Sequence, residues 1–73
     1  MNEIETTMCN SSAVWSAEYD IRTSELIVYY HNDSIYKYKD VPKFIWRGLF
    51  EAESKGKFLN KNIFKKFTYY RVN

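Results

Sequence analysis

Cysteine, histidine, glycine and proline are all scarce in this chain, and each scarcity removes a class of explanation. Its 73 residues hold one cysteine, one histidine, two glycines and one proline. The single thiol, Cys9, permits no intramolecular disulfide and no cysteine cluster for zinc, which fits a reduced, cytoplasmic setting. The sole histidine, His31, falls in an expected turn with no paired nucleophile, so no base–nucleophile pair can be named. No glycine-rich phosphate loop, Walker-type lysine or serine elbow occurs. No apolar run approaches the roughly 20 residues that cross a bilayer, and no basic-then-apolar leader opens the chain. The Asn-x-Ser triplets at 10–12 and 32–34 therefore read as chance matches. Asp40, Glu51 and Glu53 fall near helix ends, where capping and solvation account for them. These absences lead us to expect no enzyme, metal, cofactor, membrane or small-molecule substrate.

Aromatic rings, by contrast, are abundant: seven Tyr, five Phe and two Trp. A domain this short buries only about 60% of its unfolded surface. Rings that each bury roughly 150–250 Å² are thus first a stability device. Charge is unevenly placed. Residues 1–34 carry six acidic side chains against Arg22 alone, whereas residues 35–73 carry ten basic ones against Asp40, Glu51 and Glu53. From Lys55 onward there are six basic residues and no acid. Such a one-signed stretch is either a solvated face or a footprint for phosphate or for an acidic protein.

Residues 1–11 are polar and without periodicity, which predicts a flexible tail ahead of a single domain over 12–73. Alternation over 13–19 and β-branched and aromatic residues over 26–30 and 35–39 predict three strands. A two-residue turn at Asn32–Asp33 would pair Tyr30 with Ile35. A three-residue turn, with Asp33 left-handed, pairs Tyr30 with Ser34 and puts Leu26, Val28, Tyr30, Tyr36 and Tyr38 on one face. The second register segregates polarity better and is the one expected. Pro42 suits a helix start, with Asp40 as its cap, and the stripe Ile45, Leu49 and Ala52, flanked by Trp46 and Phe50, predicts a buried helix over 42–53. Gly48 inside that helix implies close packing. Gly56 is placed to end it in a left-handed conformation, and Asn60 to cap a short helical turn. Residues 67–72 alternate again. The order is β-β-β-α-β, an α+β fold with a small twisted antiparallel sheet and one amphipathic helix on one face.

Taken together, Tyr19-Asp20, Leu26-x-Val28-x-Tyr30, Tyr36-x-Tyr38, Asp40-Val41-Pro42, Ala52-x-Ser54-x-Gly56-x-Phe58 with Leu59-Asn60, Ile63 and Phe67-x-Tyr69 resemble the KTSC domain. This short module stands at the carboxyl end of some lysyl-tRNA synthetases and alone in bacterial and phage proteins. The resemblance spans about residues 12–72. It implies the same fold and, as the role suggested for the family, RNA binding. Two positions depart from its pattern. Asp33 stands where the hairpin usually has glycine, and Phe64 where a basic residue is common, which removes one phosphate contact.

Two binding functions from different classes follow. One is a module for RNA or single-stranded nucleic acid, needing a cationic track with rings to stack on. Its expected residues are Lys55, Lys57, Asn60, Lys61, Lys65, Lys66 and Arg71, with Tyr29, Phe58, Phe64 and Tyr70 as candidate rings. For Phe58, pinning the loop to the core is the favoured role. The other is a protein-binding module, for a host factor or a second copy, on the sheet face that one helix leaves open. Its expected residues are Ile27, Tyr29 and Ile35, with Trp15, and Phe44 extending the patch.

Overall fold

The computed structural model describes residues 3–73. Their elements run β1 (Ile4–Met8), β2 (Val14–Asp20), β3 (Glu25–Tyr30), β4 (Ile35–Tyr38), α1 (Lys43–Glu51), α2 (Lys55–Asn62) and β5 (Tyr69–Arg71). The strands form one antiparallel sheet in the order of the chain, so the expected α+β class holds. The β3–β4 turn takes the three-residue form. The Tyr30 N–H donates to the Ser34 carbonyl at 2.9 Å, and Asp33 is left-handed at φ 71. Leu26 therefore faces Tyr38 and Val28 faces Tyr36, with Ala17 and Tyr19 beside them on the same face.

That face is covered by the helices. Tyr19 stacks on Trp46 of α1 with ring centroids 5.5 Å apart, and its hydroxyl donates to the Val41 carbonyl at 2.7 Å. Leu26, Val28, Val41, Leu49, Leu59 and Ile63 complete a buried core. Burial removes apolar surface from water at about 25 cal/mol per Å² and is the main force holding the layers together.

Several boundaries differ from expectation. The segment expected to be a flexible tail contributes β1, paired with β2 from Ile4↔Asp20 to Met8↔Ser16; residues 1 and 2 lie outside the described residues. Its polar composition hides a strand because an edge strand needs backbone pairing more than an apolar face. Glu5 ties the strand to α1, accepting the Trp46 indole N–H at 2.6 Å. Helix α1 spans Lys43–Glu51 rather than 42–53. Pro42 is its N-cap without a side-chain bond, and Asp40 does not cap it. Instead Asp40 is left-handed at φ 56 and turns the chain from β4 toward the buried Val41. Trp46 and Leu49 are the buried members of the stripe; Ile45 is half-buried and Phe50 exposed.

Gly56 is the clearest correction. It does not end α1 in a left-handed turn, because no glycine has positive φ. The chain leaves α1 through extended Ala52, and Ser54 opens α2, its hydroxyl accepting from the Lys57 N–H. The expected short turn capped by Asn60 is therefore an eight-residue helix with Gly56 and Asn60 inside it. A Cβ at Gly56 would lie 3.0 Å from the Ser11 hydroxyl, so glycine lets α2 approach that corner.

Close packing does explain Gly48. A Cβ there would lie 2.7 Å from the Phe58 ring of α2. Alanine would otherwise favour a helix by about 1 kcal/mol, so the sign of Gly48→Ala is diagnostic. We expect a net loss of about 1–3 kcal/mol in denaturant unfolding, and a smaller one in a Phe58→Leu background. Equal losses in both backgrounds would contradict the packing account.

Candidate functional site

The β4–β5 edge gathers rings because of register. Tyr38 lies opposite Tyr69, and Tyr36 opposite Arg71, so these four side chains share the helix-side face. Tyr30 joins them from the end of β3, and Phe64 from the turn after α2. Neighbouring centroids are 5.3 Å apart for Tyr38–Tyr69, 5.8 Å for Tyr36–Tyr69, 5.5 Å for Tyr30–Tyr36 and 6.1 Å for Tyr30–Phe64. Tyr38 is the floor at 3% exposure, while Tyr69 is 50% exposed. Between them runs a groove of about 330 Å³, lined also by Asn32, Ser34 and Lys65.

The hydroxyls have distinct roles. Tyr30 and Tyr38 pair at 3.1 Å. Burial first, then the Tyr30 hydrogen bond, pushes the Tyr38 phenol far above its ordinary range, and burial also raises Tyr30. On the opposite sheet face Tyr29 donates to the Glu18 carboxylate at 2.6 Å, and that bond, with some burial, pushes its pKa up to about 12.

The expected cations divide into two groups. Lys55 is occupied, its ammonium donating at 3.0 Å to the carbonyls of both Phe50 and Ala52. It closes the end of α1 and is not a free phosphate contact. Lys57, Asn60 and Lys61 lie exposed on α2, with Lys57 and Lys61 one turn apart on one side. Lys65 and Lys66 follow in the exposed turn, Lys65 left-handed at φ 67. The ion pairs among the described residues are Arg22–Glu3 and Lys37–Glu25, so none of these lysines is neutralised by a carboxylate. Arg71 gives only its Nε to Asn73 Oδ1, at 3.3 Å.

The candidate rings also separate. Phe58 is half-buried against Gly48 and pins α2 to α1, as favoured for it. Phe64 is part of the groove. Tyr70 lies opposite Lys37, and Tyr29 beside Glu18, on the open face. That face carries Glu18, Asp20 and Glu25 with Lys37, a mixed field unsuited to a phosphate backbone. Of the alternative protein-binding set, Ile27 is almost covered by its neighbours, Ile35 is half-buried and Trp15 is 57% exposed. Phe44 does not extend that patch: it sits on α1, on the other side of the sheet. A cleft of about 390 Å³ at the β1 edge is lined by Glu5, Lys43, Trp46, Arg47 and Glu51, again of mixed charge. His31, exposed, contacts the Ser11 carbonyl at 3.0 Å and the edge of Trp15. No group of three or more metal-ligating side chains forms, and no helix is long and apolar enough to cross a membrane, among the described residues.

Sequence reasoning did not single out Tyr36 and Tyr69 as site residues. Tyr36 was expected in the core, and Tyr69 had no assigned neighbour because the pairing of the last strand had no turn to fix it.

A KTSC domain model matches residues 10–67. The chain belongs to the KTSC domain family. It is also similar to the crystal structure of a KTSC domain protein from Yersinia pestis, at 26% identity and a TM-score of 0.87, over 96% of this chain and 99% of that one. A search of curated proteins returns no match. No catalytic family is indicated by these comparisons. The match to the KTSC model includes Tyr30, Tyr36, Tyr38, Phe64 and Lys65, whereas β1, Tyr69 and Arg71 lie outside it.

The three raised phenols predict an alkaline limb of unfolding. A raised folded pKa means that the fold favours the protonated phenol. The stability from it is complete below the unfolded value of about 10 and is lost as pH rises through the folded pKa. Thermal unfolding midpoints should therefore begin to fall above about pH 10. Tyr29→Phe, which forms no phenolate, should fall less steeply there; an unchanged slope would contradict the assignment of Tyr29.

Proposed function

We propose that this KTSC domain is a small non-catalytic module that binds RNA or single-stranded nucleic acid in a reduced, cytoplasmic setting. The observation that carries the reading is the set of uncompensated cations on and after α2. Lys57, Lys61, Lys65 and Lys66 make no ion pair among the described residues, and no acidic residue follows Glu53. Rings half-exposed beside these cations supply what single strands need besides charge, a surface for stacking. Lys55 drops out of the expected contact set because its ammonium is already used, and Asn60 stays in it as an exposed amide between Lys57 and Lys61.

The non-enzymatic reading is supported by the lone, exposed His31 and by the engagement of Glu5 and Glu18 in structural hydrogen bonds. A second reading, contact with a protein partner, is favoured by exposed Met8 and Trp15 beside Tyr29 and Ile35 on the open face. It would leave the lysines without a role, so it ranks below the first.

Labelled single-stranded RNA and DNA, titrated at low and physiological salt, test the proposal. With four cations engaged, affinity should fall about fifty-fold over a roughly four-fold rise in salt. Replacing Lys57, Lys61 and Lys65 together by Glu should abolish binding with little change in unfolding midpoint, since exposed charges contribute little to stability. Absence of micromolar binding by either strand would overturn the reading and make Tyr29 and Ile35 the first positions to mutate.

A further inference from the structure

We propose that the groove between β5 and the turn after α2 is a subsite for one unpaired nucleobase, stacked on Tyr69 and Tyr36, with its flanking phosphate against Lys65 and Arg71. This rests on the nucleic-acid reading above and assigns it a place and a stoichiometry.

Size, chemistry and charge agree on that occupant. At about 330 Å³ the groove lies at the lower end of small-ligand pockets, enough for a base and far too small for a duplex. Its walls are rings, and any base offers a π-face to a ring. Tyr38 forms the buried floor, and Tyr30 and Phe64 are stacked on each other, so the face offered to a base is that of Tyr69, 50% exposed, with its neighbour Tyr36. Neither Tyr36 nor Tyr69 has a hydrogen-bond partner for its hydroxyl among the described residues, and no buried polar side-chain atom is left unpaired. The half-buried Tyr36 therefore holds its hydroxyl toward solvent. Asn32 Oδ1 accepts the Ser34 N–H at 3.0 Å, leaving the amide N–H groups to donate. A base edge rich in carbonyl and ring-nitrogen acceptors suits such a rim.

Cations stand at and beside the groove. Lys65 lines the groove directly, and Arg71 lies beside Tyr36 across the β4–β5 pair, its terminal guanidinium nitrogens without a partner among the described residues. Lys61 and Lys66 flank Lys65 in sequence and extend the positive track toward α2. No acidic residue lines the groove; Asp33, in the adjoining turn, lines the cleft with Trp15, Tyr29 and Ile35 instead. The open face offers rings too, but Glu18, Asp20 and Glu25 stand among them.

The test pairs a variant with a probe. Tyr69→Leu keeps apolar cover over Tyr38 while removing the ring, and its unfolding midpoint confirms that it folds. A short labelled single-stranded RNA and the same strand with abasic sites are titrated at low salt against both proteins. Loss of the bases should weaken wild-type binding roughly 5- to 160-fold, the range for one stacked base. Tyr69→Leu should cause a similar loss with the intact strand and almost none with the abasic one, because ring and base then fail as a pair. Equal affinity of wild-type protein for intact and abasic strands overturns the subsite without using any variant. So does a Tyr69→Leu loss that is the same for both strands. In either case the strand still binds, and the broader nucleic-acid reading stands. If the wild-type protein binds no strand at low salt, both readings fall together.

Discussion

Asp33 holds a left-handed backbone between Tyr30 and Ser34, and the face taken by every side chain of β3 and β4 depends on it. A non-glycine residue there costs on the order of 1 kcal/mol, less for Asp than for most because its short side chain bonds locally. A hairpin shorter by one residue would turn Tyr36 and Tyr38 outward and Lys37 inward. Asn73 reinforces the turn from the far edge. Its amide N–H donates to the Asp33 carbonyl at 2.6 Å, and its Oδ1 accepts the Ile35 N–H at 3.1 Å. The turn, β4 and β5 are thus tied into one unit. The tyrosine groove exists because that unit fixes Tyr36 opposite Arg71 and Tyr38 opposite Tyr69.

The parts legible in the sequence were those with a local cause. Polarity alternation gave the β3–β4 register, Pro42 marked the approach to α1, and a glycine within a helical stripe pointed to the close contact that Phe58 makes. The parts that were not legible depend on distant partners. Glu5 and two threonines carry no periodic signal, and β1 is held by pairing with β2 and by the indole of Trp46, 41 residues away. Gly56 looked like a helix stop because glycine favours left-handed turns. Its real constraint is Ser11, which no local pattern reveals. Lys55 looked like a free cation, and only the position of the α1 terminus shows that its charge is used there. Tyr69 reached the groove through a strand pairing without a connecting turn.

Folding separates what the linear charge pattern only suggests. The acids of the first half come to the open face or into structural bonds, Glu18 with Tyr29, Glu25 with Lys37 and Glu5 with Trp46. The uncompensated lysines of the second half collect on α2 and the turn beside the rings. Steering by such a field acts at long range and weakens with salt, whereas stacking acts at contact and does not. Their proximity is what favours a flexible anionic strand over a folded acidic protein.

Where a strand touches the domain is the most direct test. Backbone amide shifts of the folded domain, followed by NMR as single-stranded RNA is added at low salt, locate that contact residue by residue. A strand held on α2 and in the groove shifts Tyr36, Lys57, Lys61, Phe64, Lys65, Lys66, Tyr69 and Arg71, with the open face unmoved. Shifts gathered instead at Met8, Trp15, Tyr29 and Ile35, or at no residue, would contradict that placement.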